Sequence, residues 1–123
     1  MPREAVPDFS GCTDFRDPSI TEYAESVMQE AVMSTLEGKN YLESKVGQQT
    51  EAINKFIVER MSKVCGNFKY IASTLICQNS EGKEVQLVSN VSAMWSVNTD
   101  SFVDITWQSE AMCCVVGLFG VLI

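Results

Sequence analysis

At 123 residues the chain has the length of one domain, enough to bury about two thirds of its unfolded surface. An apolar fraction of 46% with 20% charged residues excludes a disordered chain. The net charge of -7 is negative in each of the stretches 1–18, 19–67 and 68–123. The longest basic cluster, Lys55, Arg60 and Lys63, is interrupted by Glu59, which argues against nucleic acid and anionic membrane as partners and for basic or neutral peptides.

Residues 1–17 contain Pro2, Pro7, Gly11 and mixed charges without periodicity, and are expected to form a flexible arm, with the domain running from 18 to 123. No secretory signal is read there, and a cytoplasmic location is expected. Pro18 can open a helix as its first residue, and Ser19-Ile20-Thr21-Glu22 also fits a capping box. Ile20, Tyr23, Val27, Ala31, Val32 and Leu36 then recur at helical spacing, with Glu22, Glu25, Gln29 and Glu30 mostly off the stripe. Gly38 should stop this helix. After a link containing Asn40, a second stripe comprises Val46, Thr50, Ile53, Ile57, Met61 and Val64, with Phe56 beside it, and Gly66 ends it.

From Phe68 the texture is β. Residues 68–78 are aromatic and β-branched, and Asn79-Ser80-Glu81-Gly82 is a turn. Val85, Leu87, Ser89, Val91, Ala93 and Trp95 alternate against Gln86, Val88, Asn90, Ser92 and Met94. A second turn at 98–101 precedes a third strand, 102–108, with Val103, Ile105 and Trp107 on one face. The last strand, 112–123, is apolar without alternation, so both its faces should be covered. The apolar run 111–123 is shorter than the about twenty residues a membrane helix needs, so no membrane insertion is expected. The expected fold is α+β, two N-terminal helices on a four-stranded antiparallel sheet. The helices cover one face, and a second copy of the sheet is the economical cover for the other.

The chain has no histidine, which removes Ser-His-Asp and Cys-His nucleophiles and the common zinc sites. No phosphate-binding glycine motif occurs. The five cysteines, Cys12, Cys65, Cys77, Cys113 and Cys114, are odd in number and lack a C-x-x-C, and they read as buried apolar residues rather than redox or metal sites. No enzyme, no metal and no cofactor are expected. Asn90-Val91-Ser92 matches a glycosylation sequon, a chance match in a cytosolic chain. The polar side chains of the strand 85–95 suit an edge that accepts another chain's backbone, and residues 102–108 form the rival edge. Partner-peptide contacts are assigned to Lys45, Gln49, Gln86, Val88, Asn90, Ser92 and Met94, and a dimer interface to Val91, Ala93, Trp95, Val115 and Leu118.

Ser44-Lys45-Val46, Phe68-Lys69-Tyr70-Ile71, Met94-Trp95, Ile105-Thr106-Trp107 and the closing segment 114–123, with its Phe119-Gly120, together resemble the Tctex-type dynein light chains, in the order two helices then four strands. The resemblance implies a strand-swapped homodimer and an extended segment of the dynein intermediate chain added near the dimer interface. It further implies contact with cargo proteins and a place in a cytoplasmic or axonemal dynein complex on the microtubule cytoskeleton. The alternative reading is a cargo or signalling adaptor that uses the same groove apart from a motor.

Overall fold

A computed structural model of the chain describes residues 7–78 and 102–122. Helix α1 spans Pro18–Leu36 and α2 spans Glu43–Val64. Strands β1 (Phe68–Gln78), β2 (Phe102–Gln108) and β3 (Met112–Leu122) form an antiparallel sheet in the order β1-β3-β2. The α+β architecture of two helices and an antiparallel sheet agrees with the expectation. Three strands lie among the described residues. The expected strand 85–95 and both expected turns fall outside them.

The cap of α1 differs from the expectation. Asp17, not Ser19, is the N-cap, and its carboxylate accepts from the Ser19 amide at 2.9 Å and the Ser19 hydroxyl at 2.7 Å. Pro18 occupies the first helical position, where its missing N–H costs nothing, so the cap must precede it. These hydrogen bonds from Ser19, side chain first, hold the Asp17 carboxyl below its ordinary value. The helix ends as expected at Gly38, whose φ of 75° is open to glycine at little cost. Its buried face is Ile20, Ala24, Val27, Met28, Ala31, Val32 and Leu36.

Helix α2 buries Ile53, Ile57, Met61 and Val64, one side chain per turn. Its N-cap, Leu42, supplies no capping side chain. The two helices pack together, with α1 against β2 and α2 against β1. Arg60 bridges to Glu30 at 3.4 Å and lies over the Phe56 ring at 4.9 Å. Both members of the ion pair are well exposed, so water screens it and it adds little.

Strand β3 is central in the sheet and carries apolar side chains on both faces. Even-numbered residues Met112, Cys114, Val116 and Leu118 join Phe68, Tyr70, Ile76, Val103 and Ile105 in the core beneath the helices. Odd-numbered Cys113 and Val115 form a separate buried cluster on the other face, with Cys77 against it. Ser109 shapes the β2–β3 turn. Its amide donates to Met112 O at 2.9 Å, and its hydroxyl accepts from the Ala111 and Met112 amides at 3.2 Å.

The expectation of a free arm over residues 1–17 does not fit its described part from Phe9 onward. Phe15 is 2% exposed, its ring edge-on to Phe68 and Tyr70 at 5.7 and 6.1 Å. The Phe9 amide donates to Val64 O at 2.9 Å, and the Asn67 side chain donates to Ser10 O and Cys12 O at 2.6 and 2.9 Å. The Cys65 thiol donates to Phe9 O at 3.3 Å. Two aromatics six residues apart in a stretch of turns have no period to betray them, yet the Phe15 ring closes the end of the core. A Cβ on Gly120 would meet the Phe15 ring at 2.6 Å, so glycine there makes room for Phe15.

Candidate partner-binding surfaces

The sheet face turned away from the helices divides along its length. At one end Cys113 and Val115 are fully buried. At the other, Ile71, Phe119 and Phe102 stand in one row across β1, β3 and β2. Phe102 and Phe119 bring their ring centroids within 4.6 Å. Ile71 and, in the neighbouring register, Val121 are each 53% exposed. Large apolar side chains left half open on one face cost free energy in water, at about 25 cal/mol per Å². Between the two ends lie Ser73, Gly117 and Asp104, a row of small and polar residues.

Parity along β3 separates two residues assigned to one interface. Val115 is on the outer face, where it is buried within the single chain. Leu118 is in the core under the helices, fully buried, so its side chain has no place on an outer-face contact. Adjacent strand positions point to opposite sides, and an odd and an even residue cannot share one face. Val91, Ala93 and Trp95 lie outside the described residues. The exposed row centred on Ile71 and Phe119, with Val121 beyond it, was not singled out from sequence. Ile71 and Phe119 belong to runs that are apolar on both faces, so alternation does not mark them.

Strands β1 and β2 are the outer strands among the described residues, each paired on one side with β3. An outer strand offers a row of backbone groups to an extended peptide. On β2, Thr106 is exposed.

A groove of about 410 Å³ opens at the start of α2, lined by Lys39, Asn40, Leu42, Lys45, Gln48 and Gln49. Lys45 and Gln49, both assigned to a partner peptide, meet there. Gln86, Val88, Asn90, Ser92 and Met94 lie outside the described residues. The groove combines two cations, three amide side chains and Leu42, which is 54% exposed. Such a mixture suits the backbone and side chains of a peptide better than a compact anion. Farther along α2, a shallower groove is lined by Thr50, Glu51, Asn54, Lys55 and Val58. Asn54 anchors its floor to the sheet, its side-chain oxygen accepting from the Thr74 hydroxyl at 2.6 Å.

The Cys114 thiol and the Tyr70 phenol are buried on the helix side of the sheet. Burial, then the nearby Cys113 and Cys77, pushes the Cys114 thiol up to about 12. Burial, followed by nearby Cys65, raises the Tyr70 phenol, which donates to Cys65 O at 2.8 Å. Among the described residues no group of histidine, cysteine and carboxylate side chains is placed to hold a metal ion. No described helix is long and apolar enough to cross a membrane.

Comparison with known proteins agrees with this architecture. The chain is 27% identical over 112 residues to a Dynein light chain Tctex-type of Drosophila melanogaster, covering 89% of this chain and 98% of that protein. It is 27% identical over 109 residues to a Dynein light chain Tctex-type of Dictyostelium discoideum, covering 88% and 96%. The sequence model of the Tctex-1 family matches residues 18–121, from the first residue of α1 almost to the end of β3, and the chain belongs to that family.

Proposed function

We propose that this chain is a non-catalytic dynein light chain that works as a homodimer and holds an extended segment of the dynein intermediate chain. The reading as a light chain is supported by coverage of nearly the whole length of two proteins named Dynein light chain Tctex-type. The dimer is supported by the half-exposed Ile71 and Val121 beside the Phe102–Phe119 pair. A second copy of the sheet would remove this row from water, with residues 85–95, including Val91, Ala93 and Trp95, as the segment proposed to cross between protomers. The partner peptide is proposed to add to a sheet edge and reach the groove holding Lys45 and Gln49, with Gln86, Val88, Asn90, Ser92 and Met94 along its course. Two peptides held by one dimer raise each other's effective concentration, so weak single contacts suffice. The dimer would thereby link cargo to the microtubule motor.

Affinity purification under native conditions tests the assignment. Co-recovery of dynein intermediate and heavy chains is the expected result. Their absence, with some other protein recovered in their place, would contradict it.

A further inference from the structure

We propose that Cys77 and Cys113 form a reversible disulfide between β1 and β3, by exchange with a low-molecular-weight disulfide of the glutathione type. The two residues are register partners across the antiparallel ladder. Directly opposed residues in such a ladder have Cα atoms about 4.5–5.5 Å apart, inside the about 4.4–6.8 Å that a disulfide spans. Both side chains lie on the outer sheet face, and Cys77 packs against the cluster of Cys113 and Val115. Cys77 is only partly buried, whereas Cys113 is 1% exposed. This division suits a first thiol that meets the oxidant and a second, shielded thiol that resolves the adduct.

The remaining cysteines are separated from the pair by topology. Cys114 is on the opposite face, inside the helix-side core. Cys12 lies in the N-terminal segment and Cys65 at the C-cap of α2 beside it, their thiols directed at backbone carbonyls, Asp14 O at 3.4 Å and Phe9 O at 3.3 Å respectively. Cys77 precedes the last residue of β1, and Cys113 follows the first of β3. Their bond would therefore tie the point where the chain leaves β1 to the point where it enters β3, closing residues 78–112 into a loop.

The exchange balances in two steps. The Cys77 thiol loses its proton, and its thiolate attacks one sulfur of glutathione disulfide. The S–S bond breaks, a mixed disulfide forms on Cys77, and the first glutathione leaves as a thiolate. The Cys113 thiolate then attacks the Cys77 sulfur and expels the second glutathione. Two protein thiols are oxidised and one external disulfide is reduced to two thiols, which take up the two protons released. The inference does not depend on the dimer or on any dynein partner.

The test equilibrates the native full chain in glutathione buffers of graded redox ratio, followed by acid quench, alkylation and peptide mapping by mass spectrometry. The expected result is loss of two of the five alkylatable thiols, recovered as one Cys77–Cys113 linked peptide pair and restored by dithiothreitol. Cys113→Ala should leave glutathione stranded on Cys77, while Cys12→Ser should leave the linked pair unchanged. Three results on the unmutated chain would each overturn the proposal: five thiols retained at every ratio, Cys77 stopping at the glutathione adduct, or Cys77 bonded to any other cysteine.

Discussion

Phe15 and Gly120 illustrate how one residue pair closes a core. The ring sits on backbone that has no Cβ to resist it, and it touches Phe68 and Tyr70 edge-on. Truncating such a side chain leaves a cavity, so Phe15→Ala should cost about 3–5 kcal/mol in urea unfolding. A loss below about 1 kcal/mol would mean that the segment does not seal the core. Gly120→Ala should destabilise from the other side of the same contact, by about 1–3 kcal/mol through overpacking. The first helix's start was legible from Pro18, but its cap was assigned two residues late, because Ser19 and Glu22 match a capping pattern that Pro18 moves to Asp17. Hydrogen bonds from Ser10, Arg16 and Ser19 lower Asp8, Asp14 and Asp17 respectively from their ordinary value of 3.8. A carboxylate lowered in the folded state contributes stability above its unfolded value and loses it as pH falls through the folded one. Melting temperature should therefore be nearly flat between about pH 5 and 8, where no histidine titrates, and fall in acid below 3.8. A steep drop near neutrality would contradict this assignment. Asp17→Asn, which keeps a capping oxygen, should soften the acid drop.

At the scale of elements, the unbroken apolar run of β3 was legible as a strand; its helix side and the Cys113–Val115 end of its outer face are buried, whereas Val121 on the outer face is 53% exposed. What the run conceals is parity, since apolar residues at every position give no sign of which side meets the helices. Leu118 was therefore grouped with Val115, although the two face opposite ways. Charge substitutions should separate these roles. Leu118→Asp buries an unpaired carboxylate in the core and should unfold the chain. Ile71→Asp should leave circular dichroism intact and weaken self-association, read by sedimentation velocity. Unchanged association in Ile71→Asp would remove the outer sheet face from the proposed interface. The groove at the start of α2 was anticipated only through Lys45 and Gln49. Gln48 joins them from α2, while Lys39, Asn40 and Leu42 come from the loop before it, and loop residues carry no period. Lys45→Glu should weaken intermediate-chain peptide binding by about threefold to tenfold in a fluorescence titration, the range expected when an exposed charge is reversed. An unchanged affinity would place the peptide elsewhere.

Across the whole molecule, helix order, strand bounds at 68–78 and 102–108, and the family were legible, because amphipathic spacing and a family's order of elements both survive in one sequence. The packed N-terminal segment was not, since its few anchors, Phe9, Phe15 and the carbonyls held by Asn67, make contacts distant in the chain. The account rests on a homodimer carrying two equivalent peptide sites, and the direct measurement is sedimentation equilibrium at micromolar concentration, alone and with an excess of intermediate-chain peptide. The predicted result is a particle of twice the chain's 13.6 kDa that binds one peptide per protomer. A stable 13.6 kDa particle, with or without peptide, would contradict it.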